Sequence, residues 1–265
     1  MIIQAVFWIF KLVGKVMATV VGLWLYKELT MGICKYSKKL DDKIAVVTGA
    51  TSGLGLEVTK QLVKRGCHVI MGCRNMSKAS KTIQMIKKDQ PDASLEAIEL
   101  HLDHLKSVRK FAHEVKQVTD QVNILVNNAG VFYIEENELS EKSLKKHTKD
   151  GLELTVGTNF FGHVYLTQEL MKLIKNGGTE MDPARIINVS SFGHIQGPIN
   201  VIDLDLNANL GSFNSSYQYC LSKMALIHWS NKLARSLEAE NVISVCVNPG
   251  EYIFKGEDEW WVNIK

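Results

Sequence analysis

The segment NSSYQYCLSK (214–223) carries two tyrosines and a lysine, side chains that can move protons. Only Tyr219 has a lysine four residues later, Lys223, so on a helix both side chains would point the same way, whereas Tyr217 has no such partner. A nearby ammonium favours the phenolate and is expected to lower the tyrosine pKa from its reference value of about 10. Such a tyrosine can donate a proton to a carbonyl or remove one from an alcohol. On spacing alone, an inert surface pair is the favoured alternative.

Two further polar residues could take part in that chemistry. Ser191 ends the strand-like segment ARIINVSS, where its hydroxyl could hydrogen-bond a reacting oxygen. Asn159 is a polar residue in the otherwise apolar run TNFFGHVYL. Each is ordinary by itself, so only the combination with Tyr219 and Lys223 indicates a site.

A glycine-rich turn, TGATSGLG, follows the first strand-like segment and opens a helix-like one. Glycines allow close backbone approach, and a helix N-terminus offers unpaired N–H groups to a pyrophosphate, so this context is typical of a dinucleotide site. The alternative is a tight β–α turn without a ligand. The candidate cofactor contacts in this turn are Gly49, Thr51, Ser52, Gly53, Leu54 and Gly55.

The end of the second strand-like segment indicates which dinucleotide would bind. An acidic residue there would bind the ribose hydroxyls of NAD(H), but this chain has Cys73 and Arg74. Arginine can pair with a 2′-phosphate and stack on adenine, which favours NADP(H), with NAD(H) as the other candidate. The alternative is that Arg74 is an ordinary solvated charge.

Strand-like and helix-like segments alternate strictly over residues 44–250. Six strands with apolar residues on both faces predict an α/β fold, a doubly wound, Rossmann-like parallel sheet between two helical layers in a single domain. In such a sheet, ligands bind at the carboxyl ends of the strands. Long helices are predicted over 151–175 and 216–240, and a further helix is predicted with Ser77 as its N-cap.

Composition excludes several classes of protein. Apolar residues make up 46% and charged residues 22%, the balance of a globular protein. The net charge of +3 and the scattered basic residues give no stripe that would bind nucleic acid. The five cysteines form no CxxC pair, which argues against structural zinc and a disulfide framework, and no metal site is predicted.

Residues 1–33 are strongly apolar, although Lys11 and Lys15 interrupt them. Three interpretations compete: a membrane-spanning anchor whose lysines snorkel or pair, a helix in the plane of the interface, and a cleaved signal peptide. The lysines that follow favour a cytosolic folded domain. The predicted organisation is a hydrophobic membrane anchor (1–33), a basic linker (34–43), a Rossmann-like domain (44–250) and an atypical tail (251–265).

Six motifs occur together and in order: TGATSGLG, NNAG, TNFFGH, INVSS, YCLSK and VNPG. Over residues 41–250 this set resembles the short-chain dehydrogenase/reductase superfamily. The segments VIMGCRN, LKSVRKFA and SSFGH are similar to its retinol-dehydrogenase branch, which includes the chromosome-X-type dehydrogenase/reductase. The resemblance implies an NADP(H)-dependent oxidoreductase that transfers hydride to or from a lipophilic alcohol, aldehyde or ketone of retinoid-, steroid- or isoprenoid-like kind. It also implies a place on the endoplasmic reticulum membrane with the catalytic domain facing the cytosol.

The resemblance further implies a role for each candidate residue. Tyr219 would be the acid/base, and Lys223 would bind the nicotinamide ribose and lower the tyrosine pKa. Ser191 would polarise the carbonyl, and Asn159 would hold a water in a proton relay. Superfamily dimers often pack through the two long helices, so a homodimer is a further expectation. The other cofactor contacts implied are Asn75, Asp103, Asn128, Gly130, Pro249 and Gly250.

Two features depart from the family pattern. Relatives usually have an aspartate near the adenine where this chain has His101, with Asp103 two residues later as a substitute after a loop shift. No threonine follows Gly250, and the tail EYIFKGEDEWWVNIK does not resemble family sequence. We therefore expect a truncated chain that lacks the seventh strand and much of the substrate lid. The alternative function is a catalytically impaired, membrane-tethered Rossmann-like binding protein.

Overall fold

A computed structural model describes residues 2–30, 38–132, 147–197 and 215–250. Contacts between residues divide the chain into two compact units, 1–38 and 39–265. In the second unit the predicted Rossmann-like, three-layer α/β fold is confirmed, because six parallel strands form one sheet with helices on both faces. The strands are β1 (Ile44–Thr48), β2 (His68–Cys73), β3 (Leu95–Glu99), β4 (Ile124–Asn127), β5 (Ala184–Val189) and β6 (Val242–Val247). The helices are α1 (Ile2–Thr30), α2 (Gly53–Lys64), α3 (Met76–Asp89), α4 (Leu105–Val118), α5 (Leu154–Val156), α6 (Gly162–Gly177) and α7 (Ser215–Ser236).

The first unit contains α1, which is 29 residues long. Many of its apolar side chains are exposed, among them Trp8, Leu12, Val16, Trp24 and Leu29. Within the ranges that the structure describes, no helix combines the length and the apolar character needed to cross a membrane.

The sheet has the strand order β3-β2-β1-β4-β5-β6. The chain adds β2 and β3 on one side of β1 and then crosses to the other side to add β4. Strand β1 pairs in parallel with both β2 and β4. The register aligns the strand ends, since Thr48 pairs with Gly72 and Asn127 pairs with Asn188. The loops after β1, β2, β4 and β5 therefore open at the same edge of the sheet, which is where ligands of open α/β sheets bind.

Two apolar cores cover the two faces of the sheet. One lies beneath α4 and α6 and includes Phe111, Leu166 and Leu170. The other lies beneath α2 and α3 and includes Val63 and Ile86. Side chains alternate between the faces along a strand, so inner strands need apolar residues at nearly every position, as the sequence has.

The edge strand β6 departs from this pattern among the described residues. Its inner side chains pack beneath α7, where Ser244 Oγ lies 3.0 Å from Ser230 Oγ. Its outer side chains, Ile243, Val245 and Val247, are exposed by 43%, 40% and 38%. The outer face of β6 is therefore only partly covered by the residues that the structure describes. The predicted loss of a seventh strand concerns residues 251–265, which lie outside the described residues.

The helix boundaries differ from prediction where polar side chains act as caps. The N-cap of α3 is Asn75 and not Ser77, because Asn75 Oδ1 accepts a hydrogen bond from Lys78 N at 2.9 Å. The start of α4 is capped from a distant loop, where Asp150 Oδ2 accepts from Leu105 N at 2.8 Å. Sequence proximity could not indicate this second cap.

The predicted long helix over 151–175 begins three residues later and contains a change of pitch. It starts with α5, continues through a π-helical turn (Gly157–Phe161) and ends with α6. Such turns are frequent at functional sites. The second long helix, predicted over 216–240, is α7.

Candidate active site

The glycine turn between β1 and α2 has three positions that favour glycine. Gly49 and Gly53 have positive φ angles of 66° and 52°, which favour glycine. A Cβ on Gly55 would lie 2.3 Å from Gly49 O and 2.5 Å from Asn128 Nδ2. The turn is therefore packed against the segment that follows β4, and α2 begins directly behind it.

The residues after β4 are held by the last residue of β1. Thr48 Oγ1 accepts hydrogen bonds from Asn128 N and Ala129 N, each at 2.9 Å. Asn128 Nδ2 donates to Thr48 O at 3.0 Å. Gly130 follows, and a Cβ there would lie 3.5 Å from Asn159 Oδ1 and 3.6 Å from Lys223 Nζ. The two predicted cofactor contacts, Asn128 and Gly130, thus lie between the glycine turn and the candidate catalytic residues.

Tyr219, Ser191 and Lys223 lie together at this edge of the sheet. The Ser191 and Tyr219 side chains share a hydrogen bond, and Lys223 Nζ lies 5.6 Å from the centroid of the Tyr219 ring. The ring of Phe132 packs on Tyr219 with centroids 4.8 Å apart. Helix α7 presents tyrosine and lysine from the same face, as their four-residue spacing requires.

The pKa of Tyr219 moves in the opposite direction from the prediction. Burial raises it above its ordinary value, and the hydrogen bond with Ser191 only partly offsets that effect. The expected net lowering by Lys223 is therefore wrong for this structure. The phenol is therefore protonated near neutral pH, the form that can donate a proton, and the upward shift makes it a weaker acid than a free tyrosine.

Lys223 is a buried cation, with 4% of its surface exposed. Its Nζ donates to Val189 O at 2.9 Å, and burial lowers its pKa to about 8. Buried ammonium groups are costly unless they have partners. A ligand that supplies oxygen acceptors beside Nζ would therefore be stabilised at this position.

Asn159, in the π-helical turn, uses its whole amide group on protein partners. Oδ1 accepts from Val131 N at 2.8 Å, and Nδ2 donates to Val131 O at 2.9 Å and to Ser222 Oγ at 3.1 Å. The side chain therefore clamps the backbone that leads from Gly130 to Phe132. The proton-relay role stays a prediction.

His163 is a residue of this site that the sequence analysis did not identify. It is fully buried, with Nδ1 2.8 Å from Asn159 O and Nε2 2.9 Å from Thr48 Oγ1. The available signal was its position four residues after Asn159 in the apolar run TNFFGHVYL. Burial lowers its pKa from 6.5 to about 4, so the ring is neutral near pH 7.

We expect the folded protein to lose stability in acid, because His163 is buried in its neutral form. The unfolded chain takes up a proton below about pH 6.5, whereas folded His163 does so only near pH 4, so stability falls as pH drops through this window. The whole shift corresponds to about 3 kcal/mol. Urea unfolding of the full chain in detergent gives the free energy of unfolding of the wild type and of His163→Gln. The amount by which the wild-type value exceeds that of the variant should shrink by about 2 kcal/mol between pH 7.5 and pH 5. A difference independent of pH would contradict this assignment.

The residues predicted at the adenine end are less closely grouped. Arg74 is exposed after β2, and Asn75 already caps α3. His101 Nε2 lies 3.3 Å from Glu99 Oε1, and the backbone oxygen of Asp103 accepts from Lys149 N.

The other predicted contacts also lie at the carboxyl edge of the sheet. Ser52 is exposed at the N-cap of α2 without a side-chain capping bond, and the partly exposed Thr51 and Leu54 flank it. Pro249 and Gly250 follow β6, and Gly250 has a φ of 87°. Across the described ranges, no cluster of three histidine, cysteine or acidic residues could hold a metal ion.

The family model for short chain dehydrogenases matches residues 43–253. Retinol dehydrogenase 13 of Homo sapiens is 33% identical over 236 residues, which cover 88% of this chain and 67% of that protein. Retinol dehydrogenase 14 of Mus musculus is 36% identical over 218 residues, which cover 78% of this chain and 60% of that protein. This chain thus spans about two thirds or less of the length of these relatives.

The fold is also similar to that of solved structures, two of which illustrate it. A protein from Mycobacterium Paratuberculosis has a TM-score of 0.66 and 29% identity over 80% of this chain and 70% of its own. L-Sorbose reductase from Gluconobacter frateurii, complexed with NADPH and L-sorbose, has a TM-score of 0.65 and 20% identity over 83% of this chain and 73% of its own, which supports the fold alone. With the family match, these similarities show that the chain belongs to the short-chain dehydrogenase/reductase superfamily, in its retinol-dehydrogenase-like branch.

Proposed function

We propose that this protein is an NADP(H)-dependent oxidoreductase that moves hydride to or from a lipophilic alcohol, aldehyde or ketone, with Tyr219 as the acid/base. The observation that carries the proposal is the cluster of a buried ammonium (Lys223), a half-buried phenol (Tyr219) and the Ser191 hydroxyl. It lies at the edge of the sheet where the glycine turn also opens.

The residues present suit a nicotinamide dinucleotide. The glycine turn leaves backbone N–H groups at the start of α2 for a pyrophosphate, and the Ser52 hydroxyl makes no capping bond to that helix. Lys223 could donate to ribose oxygens, since Val189 O is the one acceptor of its Nζ within the described parts of the chain. When bound, the nicotinamide supplies or accepts the hydride.

The three side chains would then handle the proton. In reduction, Ser191 donates a hydrogen bond to the substrate carbonyl while Tyr219 transfers its proton to that oxygen. The phenolate that results is stabilised by the Lys223 ammonium, and in oxidation Tyr219 takes the proton back from the alcohol. The hydrogen bond from Ser191 and the attraction of the Lys223 ammonium both become stronger as negative charge develops in the transition state. They therefore lower the barrier of the reaction.

The preference for NADP(H) is proposed to rest on Arg74. Its guanidinium, exposed after β2, is free to pair with a 2′-phosphate. We expect Arg74→Ala to raise the Kd for NADPH by about tenfold to a hundredfold, the worth of one charge-assisted hydrogen bond, and to leave the Kd for NADH unchanged. Fluorescence titration measures both, with the exposed lysine variant Lys81→Ala as control. Equal losses for NADPH and NADH would remove Arg74 from this role.

The lipophilic substrate class is supported by apolar side chains around the phenol. Phe192 and Ile195 follow Ser191 in the chain, and each is 61% exposed. Phe132 packs on the Tyr219 ring. Exposed apolar groups beside a reactive polar centre favour substrates with an apolar body and one polar end.

Steady-state assays with the full chain in detergent test the activity. Retinaldehyde and long-chain aliphatic aldehydes, supplied with NADPH, are expected to be reduced faster than short, soluble aldehydes. If no carbonyl substrate is turned over above the rate of a Tyr219→Phe control, the proposed activity is wrong.

One observation favours the alternative, a membrane-tethered binding protein without turnover. The outer face of β6 exposes three apolar side chains in the described structure, which would weaken the support of the adjoining site. This alternative predicts little or no thermal protection by NADPH together with absent turnover. Normal protection and turnover would exclude it.

Attachment to a membrane through α1 is also proposed, on the basis of its exposed apolar side chains and lysines near its middle. Extraction of cell membranes at high pH tests it, since release into the supernatant would argue against an embedded helix. The endoplasmic reticulum, the cytosolic orientation and a homodimer through α6 and α7 are proposed by analogy with the branch.

A further inference from the structure

His163 joins two parts of the site that are far apart in sequence. It lies one turn after Asn159 on the long helix, and its ring reaches the end of β1 at Thr48. Both nitrogens are within hydrogen-bond distance of a partner, and the side chain has no exposed surface. A histidine that only filled the core would not need to bond both of its nitrogens to residues of the same site, as His163 does with Asn159 and Thr48.

The partners determine the tautomer of the ring. A carbonyl oxygen can only accept, so Nδ1 must carry a hydrogen and donate to Asn159 O. In a neutral ring Nε2 is then unprotonated and accepts the hydroxyl hydrogen of Thr48.

The Thr48 hydroxyl is fully used in that arrangement. Its hydrogen points to His163 Nε2 at 2.9 Å, and its two lone pairs accept from Asn128 N and Ala129 N. The competing acceptor, Val126 O, lies farther away at 3.3 Å. The orientation of the threonine, and hence of the two N–H groups that it holds, therefore depends on the histidine.

We propose that His163 is a positioning residue that fixes the Asn128–Gly130 segment relative to Asn159 through the chain of hydrogen bonds from Asn159 O to Thr48. This inference rests on the proposed function, because it concerns the placement of the cofactor beside Tyr219. The Asn159 side chain holds Val131 from the other end, so Gly130, beside Lys223 Nζ, is fixed on both sides.

The position of this chain of hydrogen bonds determines which step it affects. The segment that it holds ends at Gly130, where a Cβ would lie 3.6 Å from Lys223 Nζ, so it should govern the reacting end of the cofactor more than the adenine end. Loss of the chain should therefore lower kcat with little change in the KM for NADPH. A purely structural histidine would instead lower stability without this split.

Histidine 15N NMR of the wild-type full chain in detergent is the first test. At pH 7 we expect the His163 signals to be those of a neutral ring with hydrogen on Nδ1, assigned by their absence in His163→Asn. Thr48→Val should shift the Nε2 signal, and Thr48→Ser should restore it. A ring with hydrogen on Nε2, or a charged ring, would overturn the proposal.

Kinetics give the second test. Thr48→Val removes the hydroxyl and its three hydrogen bonds at nearly constant shape. It should lower kcat by at least about tenfold, with the KM for NADPH within about twofold. Thr48→Ser should keep wild-type kcat. His163→Asn retains a donor near Asn159 O but loses the acceptor. Its combination with Thr48→Val should therefore cost no more than the larger of the two single losses.

The outcomes separate this proposal from the proposed function. Additive losses in the double variant, or a KM effect without a kcat effect, would refute the positioning role. If the wild type has no turnover, the proposed activity fails, and the NMR experiment still decides whether the Thr48–His163 bond exists.

Discussion

Substitution of Tyr219 by phenylalanine is expected to lower kcat by about a hundredfold to ten-thousandfold, the range for loss of a general acid or base. Phenylalanine keeps the ring that packs on Phe132 but removes the hydroxyl that bonds to Ser191. The affinity for NADPH should stay within about twofold, because Lys223 and the glycine turn are unchanged. Steady-state kinetics and a fluorescence titration of NADPH check the two parts separately.

Tyr217→Phe is the matched control for this prediction. Tyr217 is on the same helix, two residues earlier, and is also partly buried. The same loss of a hydroxyl there should leave kcat close to the wild-type value. If Tyr217→Phe is inactive and Tyr219→Phe is active, the assignment of the acid/base is wrong.

Substitution of Gly55 by alanine is expected to abolish thermal protection by NADPH and to destabilise the protein. The new Cβ would lie 2.3 Å from a backbone oxygen and 2.5 Å from Asn128 Nδ2, so the glycine turn must move away from the segment after β4. Overpacking of this kind costs about 1–3 kcal/mol, which corresponds to a fall of several degrees in Tm. Thermal melts with and without NADPH measure both effects.

Gly130→Ala separates damage to the fold from damage to cofactor binding. Its Cβ would lie at ordinary contact distances of 3.5 Å from Asn159 Oδ1 and 3.6 Å from Lys223 Nζ. We expect an unchanged Tm without NADPH and weaker protection with it, because the methyl group takes space beside the Lys223 ammonium.

Wild-type protection by NADPH in Gly55→Ala would contradict the proposed role of the glycine turn.

The fold could be predicted because its signals are local. Each inner strand is a short apolar run ended by a turn residue, and α4 coincides with the periodic segment LKSVRKFAHEVKQV. The cap of α4 by Asp150 could not be predicted, since it depends on a loop distant in sequence. The N-cap of α3 was assigned to Ser77 because serine and asparagine are both good caps, and only backbone geometry selects Asn75.

The sequence predicted most of the residues that form the candidate site, but it did not predict the pKa of Tyr219 or the contacts of His163. The order and spacing of the motifs predicted that Ser191, Tyr219 and Lys223 belong to one site, and the structure places these residues together. The direction of the Tyr219 pKa depends on how deeply the ring is buried, which no motif encodes. His163 was missed because its importance lies in a contact with Thr48, more than a hundred residues earlier in the chain.

The strand order has a consequence for synthesis of the chain on the ribosome. With the order β3-β2-β1-β4-β5-β6, β2 and β3 add outward on one side of β1, and β4, β5 and β6 add outward on the other. Every new strand can therefore join an edge that already exists, and none has to be inserted between two earlier ones. Domains tend to fold from the N-terminus as they emerge. A nascent chain thus has the residues of its glycine turn, with β1 and α2, well before α7 brings Tyr219 and Lys223.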